Sequence, residues 1–118
     1  MKIMKKYVVI GKNSQETAAS MLNKPQNRRE MVAPLVKSFN AEFNEFLYLN
    51  SPDFDFIGVI TANNDEDIAA ACNLIYASGS FSSINWFRAF ESADWKSIFE
   101  IASNKMANYV SAKQASQE

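Results

Sequence analysis

Histidine is absent from the whole chain of 118 residues. Its absence excludes Ser-His-Asp and Cys-His nucleophilic catalysis, and every zinc or iron site that depends on imidazole ligands. Proton transfer would fall to a carboxylate, a lysine or a tyrosine with a displaced pKa. Cysteine occurs once, as Cys72, so no internal disulfide can form and a reducing, cytoplasmic compartment is expected. No apolar run approaches the length of a membrane span. The start, Met1-Lys2-Ile3-Met4-Lys5-Lys6, has the basic character of a signal peptide. The apolar run behind it, from Tyr7 to Ile10, is too short for an h-region and ends at Gly11-Lys12-Asn13. Charge of one sign is also lacking: 12 basic and 13 acidic side chains give a formal −1. Without a basic surplus nucleic acid is not expected as a partner, and without a run of span length neither is a membrane.

What is present is the composition of a folded protein, 47% apolar and 13% aromatic, in a chain of single-domain length. Residues 5–12 read as a short buried strand through Tyr7, Val8, Val9 and Ile10. Asn13 stands three residues before Glu16, the spacing of a helix cap, and a helical piece with Ala18, Met21 and Leu22 runs to the break at Asn23-Lys24-Pro25. A longer helix is predicted over 27–39, with Met31, Leu35 and Phe39 in one stripe beside Val32 and Val36. Pro34 predicts a kink or restart inside it, Arg28, Arg29 and Glu30 read as solvated, and Asn40 is the stop signal.

Alternation predicts a strand over 42–50, with Phe43, Glu45, Leu47 and Leu49 on one face and Asn44, Phe46, Tyr48 and Asn50 on the other. Ser51-Pro52-Asp53 turns the chain into a strand over 54–62, forming an antiparallel hairpin. The acids of Asn63-Asn64-Asp65-Glu66-Asp67 suit a helix start; Ile68, Ala71, Cys72 and Ile75 form its stripe and Gly79 its end. Residues 81–90 read as a fourth strand. Ser92 is the expected cap of a last helix over 93–110, with Trp95, Ile98, Phe99, Ala102, Met106, Tyr109 and Val110 at helical spacing. The tail 111–118 reads as polar and frayed.

This β-α-β-β-α-β order plus one helix predicts a single α+β domain over 1–118. Its core is a ferredoxin-like fold over 5–90, a four-stranded antiparallel sheet in the order 4-1-3-2 with helices on one face. A C-terminal helix over 92–111 and the tail over 112–118 complete it. The third strand is apolar on both sides: Phe54, Phe56 and Ile60 on one, Ile57 and Val59 on the other. Two crossover helices cover one face only. The second face predicts a homodimer packed sheet to sheet, ahead of coverage by the C-terminal helix.

The Asp-led third strand, the acidic turn, the Ala-rich helix ending at Gly79 and the closing Arg88-Ala89-Phe90 together resemble the GYD domain family. Of that family's Gly-Tyr-Asp turn the aspartate is Asp55, Phe54 stands in the aromatic place and Asp53 in the glycine place. The resemblance covers residues 7–90 and leaves the C-terminal helix outside. It implies a ferredoxin-like fold that dimerises through its sheets, similar to the dimeric α+β barrels, among which are oxygenases and isomerases. No activity follows from the fold alone.

Asp55 is the candidate base or ligand anchor; as a turn carboxylate it would instead accept backbone N–H bonds, which is the expected outcome. Trp86 and Arg88 share a face, where an indole beside a guanidinium suits a planar anion, with Asn85 next to them. Tyr7 and Tyr48 are expected to lend hydroxyls to the same cavity. RNA-binding domains share the strand order, but the third strand lacks their basic residue and spaced aromatics. Asp65, Glu66 and Asp67 lack the spacing of a calcium loop, so neither metal nor cofactor is expected. Two functions stay open. One is a non-catalytic homodimeric module that binds a small molecule or a partner protein. The other is a cofactor-independent enzyme, oxygenase- or isomerase-like, with Asp55 as base in the barrel.

Overall fold

The computed structural model describes residues 4–117, so the first three residues of the signal-like start over 1–6 and the last residue of the tail lie outside the described residues. Strand β1 (Lys5–Asn13) is followed by α1 (Gln15–Asn23) and α2 (Arg28–Ser38). The hairpin β2 (Glu42–Tyr48) and β3 (Phe56–Ala62), α3 (Asp65–Ala77) and β4 (Phe81–Ala89) complete the core. The sheet is antiparallel throughout in the order β2-β3-β1-β4, which is the ferredoxin-like arrangement with β1 and β3 central. Burial along β3 alternates residue by residue: Phe56, Gly58, Ile60 and Ala62 are buried on the helix side, while Ile57, Val59 and Thr61 face away. Tyr7, Val9, Phe56, Ile60 and Ala62 from the sheet meet Val36 of α2 and Ile68 and Cys72 of α3 in the core.

Local signals account for most helix ends. Asn27 caps α2 by accepting from the Glu30 N–H, and Asn64 caps α3 by accepting from the Asp67 N–H. Asn40 has φ 56, and the N–H groups of Asn40 and Ala41 return to the carbonyls of Lys37 and Val36, closing α2 in a Schellman motif. Gly79, at φ +80, takes the same left-handed place after α3.

Five expectations are corrected. Ser14, not Asn13, caps α1, its hydroxyl accepting from the Thr17 N–H. Helix α2 runs on through Pro34, so of the kink or restart expected there the restart does not occur. The β2–β3 register shifts between Phe43 and Glu45, so a bulge at Asn44 turns Phe43 to the helix side with Phe46 and Tyr48. The last helix, α4 (Ser92–Ser103), starts from Glu91 without a side-chain cap and stops at Ser103, well short of the predicted Val110, giving way to a 3-10 turn over Met106–Asn108. The tail then forms a short helix α5 (Ala112–Ser116), closed by a reciprocal capping box between Ser111 and Gln114.

Helix α4 does not fold back over the open sheet face. The radius of gyration is 19.1 Å and the molecule measures 66 × 40 × 22 Å. A compact domain of this length has a radius near ~13.5 Å. No residue of α4 is buried, and Trp95, Phe99 and Ile101 stand half or more exposed. Its root is held by the Lys6–Glu91 ion pair, which draws the Glu91 carboxyl below its usual range. Among the described residues no helix is long and apolar enough to cross a membrane.

Candidate functional site

Between α2, α3 and the helix side of the sheet lies a cavity of about 290 Å³. Sequence periodicity explains its walls. Met31, Val32, Leu35 and Val36 come from the apolar stripe of α2, while Ile68, Ala71, Cys72 and Ile75 come from that of α3. The floor is aromatic. Phe46 and Phe56 have ring centroids 4.7 Å apart, Phe56 and Phe81 5.6 Å, and Phe43 and Phe46 5.2 Å. Gly58 makes room for this arrangement, since a Cβ there would lie 3.1 Å from the Phe56 ring. Burial in this apolar setting pushes the Cys72 thiol up to about 11, which leaves it protonated and unreactive near neutrality.

The polar groups of the wall are few: Asn13, Thr17, Arg28, Tyr48, Asp67, Ser78 and Ser80. Tyr48 is half exposed, its ring against Phe46 and Phe56. Burial raises its pKa and the nearby Arg28 charge opposes that rise. Beside the cavity lies a smaller polar hollow of about 150 Å³, lined by Glu16, Ser20, Gln26 and Gly79 and sharing Thr17, Arg28, Ser78 and Ser80 with it. Among the described residues no group of three potential ligands could hold a metal ion.

The residues singled out from sequence do not converge. Tyr7 is fully buried at the far end of β1, where its hydroxyl donates to Asp65 Oδ1 at 2.6 Å. Burial and the Asp65 carboxylate both raise its pKa. Trp86 meets Tyr7 edge to face, with centroids 6.0 Å apart. The Arg88 guanidinium lies over Phe90 at 4.6 Å and Tyr7 at 5.6 Å, and donates to the carbonyls of Lys6 and Ala89. Trp86 and Arg88 do share a face, but the guanidinium is engaged by backbone and rings. The expectation that Tyr7 and Tyr48 serve one cavity is corrected, because Tyr48 lies at the opposite end of the sheet, paired with Phe56. Asn85 is exposed opposite Ile10, on the uncovered face. Asp55 is absent from the cavity wall; its Oδ2 accepts the Asn13 N–H at 2.9 Å.

Arg28 is the residue that sequence reading missed. Read as solvated, it instead heads the stripe Arg28, Met31, Val32, Leu35 that lines the cavity. The signal was its spacing at i, i+3, i+4, i+7 with those apolar residues.

Comparison with known proteins bears on the chain as a whole. No curated protein and no solved structure matches it. A family model described as GYD domain matches residues 7–111, extending past Phe90 to include α4 and correcting the narrower resemblance read from the strands. With nearly all of its length matched, from the first strand through the C-terminal helix, the chain belongs to the GYD domain family.

Proposed function

We propose that the protein is a homodimeric α+β module that binds a small, largely apolar molecule between its helices and its sheet, without itself carrying out a reaction. The cavity of about 290 Å³ carries this reading: its walls are mostly aliphatic and aromatic, with a few polar groups at one side, the usual make-up of a small-molecule site. Catalysis by a carboxylate base in the barrel gains no support. Asp55 is bonded to backbone, and the one carboxylate that the described residues bring to the cavity wall, Asp67, stands in the first turn of α3.

Dimerisation is argued from the face opposite the cavity. Leu47 and Phe87 are half exposed there beside Ile57, Val59, Val8 and Ile10, an apolar surface that monomers rarely leave to water. The outlying α4, with Phe90, Trp95 and Phe99 in an aromatic chain, offers a second apolar surface to the same partner. A single buried thiol suits a reducing, cytoplasmic setting.

A homologous series of primary alcohols tests the cavity. By calorimetry, affinity should rise about fourfold per methylene, from ~0.8 kcal/mol for each buried CH₂, and level off once the chain outgrows the space. Ala71→Leu, which fills part of the wall, should move that limit to shorter alcohols. Absence of binding across the whole series, or a limit unmoved by Ala71→Leu, would overturn the reading.

A further inference from the structure

We propose that the ligand of this cavity is a small carboxylate with an apolar body, its head group held at the cavity wall by Arg28 and Tyr48. The inference rests on the cavity reading above and adds the chemical class of the molecule. Size comes from volume. At the ~30 Å³ that one water occupies in the liquid, 290 Å³ holds on the order of ten non-hydrogen atoms. A straight-chain acid of eight or so carbons, or an aryl acid of similar bulk, fits that space.

Charge selects the head group. Among the described residues, Arg28 is the only cation lining either the cavity or the polar hollow that adjoins it. It is half-buried and, among the described residues, forms no ion pair. Its Nη1 donates to Gln26 Oε1 at 2.8 Å, which steadies the side chain and leaves the other guanidinium donors for a ligand. A guanidinium presents its donors as a planar fork that matches a carboxylate with two parallel hydrogen bonds. Tyr48 adds a hydroxyl that has no partner among the described residues and is protonated at neutral pH. An anion placed there meets a charge and a neutral donor on one side and apolar walls on the other.

Two carboxylates compete for the opposite assignment. Asp67 lies in the cavity wall and Glu16 in the hollow, and together they would favour an ammonium head. Asp67 is already offset by the positive end of α3, in whose first turn it stands. Glu16 is exposed, so water screens it more than it screens half-buried Arg28. The balance therefore favours an anion.

Calorimetry at pH 7 with octanoate, 1-octanol and octylamine separates the possibilities, since the three share one body and differ in the head. Octanoate should bind at least about tenfold more tightly than octanol, the range for hydrogen bonds to a charged group. Octylamine should bind weakest. Arg28→Gln should bring octanoate down to the octanol level, with an unchanged circular dichroism spectrum and a cooperative urea transition showing the variant to be folded. Tyr48→Phe should weaken octanoate about fivefold. Equal binding of octanoate and octanol to the unmodified protein would overturn the head-group assignment and leave the cavity reading standing. Tightest binding of octylamine would transfer the head group to Asp67 and Glu16. Binding of none of the three would remove both readings together.

Discussion

The carboxylate of Asp55 accepts the backbone N–H of Asn13 at 2.9 Å, joining the segment before β3 to the end of β1. The backbone of Asp55 reinforces the link: its N–H donates to the Gly11 carbonyl at 2.8 Å and its carbonyl accepts from the Leu49 N–H at 2.7 Å. One residue thus ties three strands together at the end of the sheet nearest Tyr48.

Removing that carboxylate should therefore cost stability. Asp55→Ala is expected to lower the unfolding free energy by about 1–2 kcal/mol, the range for leaving a backbone donor without its partner. Asp55→Asn should recover part of the loss, because its amide oxygen can accept the same bond. Urea denaturation measures both. An Asn variant as stable as the parent but unable to bind any ligand would point to a functional carboxylate instead.

Alkaline pH should weaken the fold. Cys72 and Tyr7 both have pKa values raised in the folded protein, because burial disfavours their charged forms. A group raised in this way contributes stability that is fully present below its unfolded pKa and lost as pH climbs through its folded one. For Cys72 the window opens at 9.0 and closes at about 11; for Tyr7 it opens at 10.0 and extends to higher pH. Urea midpoints should hold steady up to pH 9.0 and fall beyond it. Cys72→Ala should flatten the first part of the decline, and Tyr7→Phe the later part. A midpoint that rises across this window would contradict the assignment.

Val59 lies on the uncovered face, between Val8 of β1 and Glu45 of β2. Val59→Lys should convert a dimer to a monomer in sedimentation velocity, since a lysine in a desolvated interface would have no partner. Octanol binding should survive, because the cavity lies on the other side of the sheet. An unmodified protein that sediments as a monomer at micromolar concentration would end the dimer proposal.

Much of the fold was legible because its signals are local. The period of two in β3 puts Phe56 and Ile60 inward and Ile57 and Val59 outward whatever they pack against. The caps at Asn27 and Asn64 and the left-handed turns at Asn40 and Gly79 depend on a few neighbouring residues, so side-chain chemistry alone marks them. Element order then leaves few topologies, and the antiparallel sheet with β1 and β3 central is among them.

Tertiary structure decided the rest. The bulge at Asn44 is a property of the β2–β3 pair, invisible along β2, and it moves Phe43 from the open face to the aromatic floor. Tyr7 and Tyr48 look equivalent as strand tyrosines, but antiparallel register carries them to opposite ends of the sheet, one buried against Asp65 and one half exposed beside Arg28. Arg28 itself has the composition of a surface residue, and only the approach of α2 to the sheet places it on a cavity wall. Helical periodicity established that α4 has an apolar stripe; the direction in which the chain leaves β4 left that stripe in water. Patterns of two and of 3.6 residues report which side of an element is apolar. What that side meets is set by contacts between residues far apart in the chain, and no local pattern encodes it.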